Sequence, residues 1–188
     1  MKTHIFLILI VNLFFSQTIK IASYNIYFLD DGIKQERKER LQKIIDDLDA
    51  DIIGFQEINN EAALRNILSD DYAIAIIDGK NDVQDVALAV RKPYRIKSKS
   101  LVFSGKKYDF AFPRNRDLLE VIVEIEGKEY TFFIHHAKSR RGGRIKTDKQ
   151  RSEAYRLIVD YVKKKKMNES IIFIGDFNDN PDDQSLNI

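Results

Sequence analysis

The sequence predicts an α+β fold in which packed sheets carry helices on their outer faces. Three observations predict it. Short β-rich runs alternate with helices in some places and with hairpin turns in others, two amphipathic helical stripes stand out, and several apolar strands end in polar residues. The 188 residues, 44% hydrophobic and 11% aromatic, hold enough apolar material for one core and too little length for two large ones.

The elements follow in order. Met1-Lys2-Thr3-His4 precedes an apolar run from Ile5 to Phe15, broken only by Asn12 and followed by Ser16-Gln17-Thr18. This is the layout of a signal peptide, and the run is much shorter than the roughly 20 apolar residues a spanning helix needs. Residues 1–16 are read as the leader and 17–188 as one domain, exported to the periplasm or the medium with no stable membrane association. Lys20 to Phe28 is β-rich and ends at the turn signal Asp30-Asp31-Gly32. Leu41, Ile44, Ile45 and Leu48 recur at i, i+3, i+4 and i+7, the stripe of an amphipathic helix that stops near Asp49. Asp51 to Glu57 is an apolar run too brief for a helix, so it reads as a central strand with polar residues at its C-terminal end. Asn59 or Asn60 then caps a second helix through Leu68.

Tyr72–Ile77, Asp85–Arg91 and Ile96–Phe103 read as three strands of a meander, with turns at Asp78-Gly79 and Lys92-Pro93. Leu118–Ile125 and Tyr130–His136 flank Glu126-Gly127-Lys128, a turn length that favours an antiparallel hairpin. A loop rich in arginine and glycine follows. Ala154, Leu157, Ile158, Tyr161 and Val162 form the second helical stripe, closed by Lys163 to Lys166, whose charges suit a helix C-terminus. Ser170–Ile174 is the last strand and runs into Gly175-Asp176-Phe177-Asn178-Asp179.

Lysine and arginine number 31 against 29 acids, a net charge of +2, so the overall field is too weak to diagnose a nucleic-acid partner and any basic surface must be local. Loss of residues 1–16 removes Lys2 and no acid, which lowers +2 to +1. The absence of cysteine excludes a disulfide framework and thiolate metal sites.

Chemistry concentrates where strands stop: the amide of Asn25, the carboxylate of Glu57, the imidazole of His136, and the Asp176–Asn178 pair. A zinc site at His135-His136 is disfavoured, because adjacent strand residues point to opposite faces and no third nitrogen or sulfur ligand is evident. Ser23-Tyr24-Asn25-Ile26, Ala50 through Gln56-Glu57, Asp85-Val86-Ala87-Leu88, Arg116 before Leu118, His136-Ala137-Lys138-Ser139 and Ile174-Gly175-Asp176-Phe177-Asn178 together resemble the endonuclease/exonuclease/phosphatase superfamily. Arg116 is the loosest of these positions, since Arg114 lies two residues away. The resemblance implies a four-layer α-β-β-α sandwich with two central mixed sheets, as in pancreatic deoxyribonuclease, and a phosphodiester hydrolase.

Such hydrolysis needs charge neutralisation, an activated water and donors for the phosphate oxygens. The resemblance implies that Glu57 holds Mg²⁺, or Mn²⁺ in its place, with Asn25 in support. It implies that Asp176 orients the attacking water or handles a proton, that Asn178 donates its amide to a phosphate oxygen, and that His136 donates to the phosphate or the leaving oxygen. Arg116 would clamp the phosphate with its planar fork, and Asp85 occupies a position that buttresses the histidine. The family's later Ser-Asp-His motif does not occur before the chain ends at Ile188. The C-terminal strands are therefore expected to be missing, as in a fragment of a longer product; the competing expectation is a degenerate phosphate-binding relative with little catalysis.

Lys138, Arg140, Arg141, Arg144 and Lys146, with Gly142 and Gly143 among them, follow His136 directly. Five cations beside the site suit a phosphate backbone, and the segment resembles the His-x-x-Ser-Arg-x-Gly-Gly stretch of exported bacterial nucleases. The expected substrate is extracellular DNA or RNA. Lipid phosphodiesters and sugar phosphates are the alternatives, and no protein partner is evident.

Overall fold

The computed structural model describes residues 18–78, 84–113, 116–165, 170–183 and 185–186. The expected leader over 1–16, Gly79 and Arg114 lie outside them. Eight strands form two four-stranded mixed sheets. The first contains β1 (Ile21–Leu29), β2 (Ile52–Ile58), β3 (Tyr72–Ile76) and β4 (Asp85–Arg91), in the order β1-β2-β4-β3. The second contains β5 (Arg95–Val102), β6 (Leu118–Ile125), β7 (Lys128–His136) and β8 (Ile171–Asp176), in that order. β1 and β2 are parallel, as are β7 and β8, and the remaining pairs are antiparallel.

Three apolar clusters separate four layers. Leu41 and Ile45 of α1 (Gln35–Leu48) and Ala63 and Leu64 of α2 (Glu61–Arg65) pack with Ile53, Phe55, Ala87 and Ala89 on the outer face of the first sheet. Ile52, Leu88 and Val90 face Val121, Val123, Phe132 and Ile134 between the sheets. Ala154, Tyr155 and Ile158 of α3 (Arg144–Lys164) cover Leu118 and Phe133 on the far side. This is the expected α-β-β-α sandwich. All seven residues of β2 are buried, because both of its faces are covered, which is why its sequence does not alternate.

Local rules explain most boundaries. Asp49 ends α1 in a left-handed conformation at φ 42°, and Asn60 caps α2 by accepting from the Ala63 N–H at 2.8 Å. Glu126 and Gly127, at φ 50° and 78°, make the two-residue hairpin turn whose twist matches its strands.

Three expectations are corrected. α2 stops at Arg65 and does not reach Leu68. The meander breaks after β4, since β5 leaves for the second sheet and pairs with β6, with Tyr94 buried between the sheets at the crossover. α3 starts at Arg144, so the end of the basic segment is the first turn of a helix. Among the described residues no helix is long and apolar enough to cross a membrane.

Two glycines permit close approaches in the strands that carry Glu57 and Asp176. A β-carbon built on Gly54 would lie 2.4 Å from Ile174 Cδ1 across the interface. Overpacking of this kind typically costs about 1–3 kcal/mol. On Gly175 it would lie 1.9 Å from the carbonyl oxygen of His135. The glycine before Asp176 is thus required by the seating of β8 against β7.

Candidate active site

Two bulges create the site. The β1–β2 register shifts between Asn25 and Leu29, and the β2–β4 register shifts between Gln56 and Ile58, so Glu57 is the extra residue of its strand. Bulges re-aim side chains at sheet ends. Among the described non-glycine residues eight have positive φ, and four of these, Tyr27, Phe28, Glu57 and Asn178, line the same cavity. Each such backbone conformation costs on the order of 1–3 kcal/mol and persists only where its surroundings enforce it.

The strand ends converge across the two sheets. Asn25 Nδ2 donates to Glu57 Oε1 at 3.1 Å and to Asp176 Oδ2 at 3.0 Å, while its Oδ1 accepts from the Tyr27 N–H at 3.1 Å. One amide therefore ties a carboxylate of the first sheet to a carboxylate of the second. His136 pairs in register with Asp176, and its Nε2 lies 3.7 Å from Glu57 Oε1. Asp176 Oδ1 accepts from the backbone N–H of Asn178 at 3.0 Å. The side-chain amide of Asn178 donates to Ala137 O at 3.1 Å, so one of its two N–H groups is committed to the protein.

Glu57, His136, Asp176 and Asn178 border a cavity of about 670 Å³ that is also lined by Tyr27, Phe28, Gln84, Pro113, Arg116, Lys138, Ser139, Arg141 and Gly142. Arg116 is buried and donates to the side chain of Gln84 and to Ala137 O at 3.5 Å. Burial first, and then the positive charge of Arg116, push the His136 imidazole down to about 4, against the opposing pull of Asp176. At neutral pH the ring is uncharged and offers a single N–H.

A divalent cation fits the donor set. Glu57 Oε2 is buried and has no hydrogen-bond partner among the described residues, an acceptor whose isolation costs free energy unless something binds it. Among the described residues no group of three or more acidic, histidine or cysteine side chains converges as a closed cage. A cation that keeps several waters needs only one or two carboxylates, and Glu57 can supply one.

The basic segment divides. Lys138 and Arg141 line the cavity. Arg140 instead turns inward, donating to Asn178 O at 2.9 Å, to Asp179 at 3.3 Å and to Asp183, and Arg144 also pairs with Asp183. Their charges brace the loop against the segment after β8. The carboxylates involved were invisible to a sequence reading because their partners lie about 40 positions away. Gln84 carries no sequence signal either.

Residues 23–188 match the Endonuclease/Exonuclease/phosphatase family. The chain belongs to this family. Solved structures agree on the fold. D. rerio TDP2 complexed with single strand DNA product aligns at a TM-score of 0.67 and 18% identity, over 90% of this chain and 63% of that one. A hairpin-deletion mutant of beta toxin from Staphylococcus aureus aligns at 0.69 and 21%, over 90% and 70%. The human Nocturnin catalytic domain aligns at 0.65 and 16%, over 90% and 68%. The chain spans 63% and 48% of the length of two further TDP2 structures, from D. rerio and C. elegans. No curated protein matches it.

His135 points away from the site into the cluster beneath α3, ringed by Phe112, Tyr155 and Phe177, and neither ring nitrogen has a partner among the described residues. Burial, followed by the charges of His136 and Arg116, pushes it down to about 3. The folded state holds this ring neutral, whereas the unfolded chain protonates it below about 6.5. Its contribution is complete above that pH and is lost as pH falls toward 3, at up to about 1.4 kcal/mol per pH unit. Urea midpoints measured between pH 7.5 and 5 should fall steeply. The slope should shrink by about one proton in His135→Leu, and an unchanged slope would remove His135 from the account.

Proposed function

We propose that the protein is a secreted, metal-dependent phosphodiester hydrolase whose substrate is DNA or RNA. The observation that carries this reading is the Asn25 amide spanning Glu57 and Asp176, with the orphaned Oε2 of Glu57 beside it. A divalent cation, with Mg²⁺ as the proposed ion and Mn²⁺ as a substitute, would supply charge neutralisation at the phosphate when bound to Glu57. The chain's own residues supply the rest. Asp176, fixed through both oxygens, orients the attacking water and accepts its proton as the new P–O bond forms. The bond to the leaving oxygen breaks, and that oxygen takes its proton from solvent. His136, neutral at pH 7, donates its N–H to a non-bridging oxygen. Asn178 supplies its second amide N–H to the same group. Arg116, Lys138 and Arg141 bring positive charge to the cavity wall, where a polyanionic backbone gains most from it. Nucleic acid is favoured because Lys138 and Arg141, on the loop after β7, add cations to the wall that Arg116 also lines. The expected leader over residues 1–16 supports export.

Glu57→Gln tests the metal assignment. The glutamine oxygen can still accept from Asn25, but its amide then replaces the orphaned acceptor with a donor. Calorimetric titration with Mg²⁺ or Mn²⁺ should show affinity at least about tenfold weaker than wild type. Equal affinity would take Glu57 out of the metal site.

A further inference from the structure

Tyr27 and Phe28 are an anomaly for strand residues. They follow directly on Asn25-Ile26, yet they are 72% and 43% exposed, and both adopt left-handed backbone, at φ 57° and 51°. Bulky residues rarely accept that conformation. The surroundings enforce it here: Arg37 reaches from α1 and donates to Ile26 O at 2.8 Å, to Phe28 O at 3.1 Å and to Tyr27 O. The Tyr27 N–H is held by Asn25 Oδ1. Two aromatic rings are thus pinned in an exposed arrangement by the same asparagine that joins Glu57 to Asp176. The rings meet edge to face, with centroids 5.3 Å apart and planes at 83°. They do not stack on each other, so ring face remains available to a third planar group.

We propose that Tyr27 and Phe28 form a stacking platform for an unpaired nucleobase beside the scissile phosphate, which makes single strands and frayed ends the favoured substrates. This deepens the nuclease reading and rests on it. Aromatic side chains next to a cationic groove are the general device for gripping single strands, since every base has a π-face. Lys138 and Arg141 line the same cavity and supply the cationic part. A base inside a duplex has both faces covered by its neighbours, so only an unstacked base can lie on such a platform. A bilayer is the other partner that exposed aromatics can serve. Here, however, the rings line a concavity shared with Glu57 and Asp176, whereas insertion into lipid calls for apolar side chains on a protruding tip.

The test measures anisotropy of a labelled 12-nucleotide single strand, a strand of the same length with abasic residues throughout, and a blunt duplex, with probe integrity checked on gels. Sedimentation with phosphatidylcholine and sphingomyelin vesicles runs in parallel. Wild type should bind the base-bearing strand at least about 5-fold more tightly than the abasic one, a comparison that requires no variant. The Tyr27→Ala/Phe28→Ala protein should lose about 5- to 100-fold on the base-bearing strand and little on the abasic one, as expected for one lost base stack. Exchanging the two rings, Tyr27→Phe with Phe28→Tyr, should restore binding. Equal binding of both strands by wild type overturns the platform and leaves the nuclease reading standing. Wild type that ignores all three nucleic acids and sediments with vesicles through Tyr27 and Phe28 overturns both.

Discussion

Asp176→Asn is expected to lower the rate of phosphodiester hydrolysis by about 10²–10⁴-fold, the usual worth of a positioned acid/base group, with only a small loss of stability. The reasoning is geometric. Asp176 receives Asn25 Nδ2 on one oxygen and the Asn178 N–H on the other, so the carboxylate is held still while presenting its charge to the cavity. Asparagine keeps the shape and one acceptor. Its amide faces the amide of Asn25, so one hydrogen bond is lost at a cost of about 1 kcal/mol, a shift of roughly 2–4 °C in melting temperature for a domain of this size. Activity on a DNA oligonucleotide and thermal melting, measured on the same preparation, separate the two effects. A variant that keeps more than a tenth of the wild-type rate would remove Asp176 from proton handling. A variant that melts far lower would show its role to be structural.

The features of this site that were legible in the sequence share a physical cause. β2 is buried along its whole length and β8 is an apolar, partly buried run, so a Glu57 or an Asp176 at their ends stands out against the apolar residues before it. Gly54 sits where the two sheets touch and Gly175 where β8 seats against β7, and a β-carbon would collide at either position. The α1 stripe holds only in half: Leu41 and Ile45 pack on a single sheet, whereas Ile44 and Leu48 are exposed at 40% and 39%. Legibility fails where the determining contact is distant. Tyr27 and Phe28 have strong β propensity, and only Arg37, together with the bulge, turns them out of the strand. The strand spacing around Lys92-Pro93 is that of a hairpin, yet burial of Tyr94 between the sheets carries β5 across to the second sheet. The arginines after His136 look like a uniform patch, and only tertiary pairing separates Arg141 from Arg140 and Arg144.

The same tertiary pairing predicts the largest stability effect. Arg151 has 0% side-chain exposure, and its Nε meets Asp179 Oδ2, equally buried, at 2.7 Å. The guanidinium also donates to Lys138 O at 2.9 Å and to Asp148, while Asp179 further accepts from Arg140 and the Ser185 hydroxyl. The group joins α3, the loop after β7 and the segment after β8, the two stretches that position Lys138 and Asn178. Arg151→Met leaves the carboxylate of Asp179 buried with its principal counter-charge gone, and breaking a buried pair from one side typically costs about 3–5 kcal/mol. Replacing both partners, Arg151→Met with Asp179→Leu, removes the stranded charge and should recover much of that loss, because an apolar pair of similar volume is often neutral relative to a buried ion pair. Urea denaturation of the three proteins decides the matter. If the single substitution costs less than about 1 kcal/mol, water reaches Asp179 and the pair is not a keystone of the loop. If the double variant is as unstable as the single one, the stranded charge is not the cause, and the loss lies in the other bonds of the group, those of Arg151 to Lys138 O and Asp148 and those of Arg140 and Ser185 to Asp179.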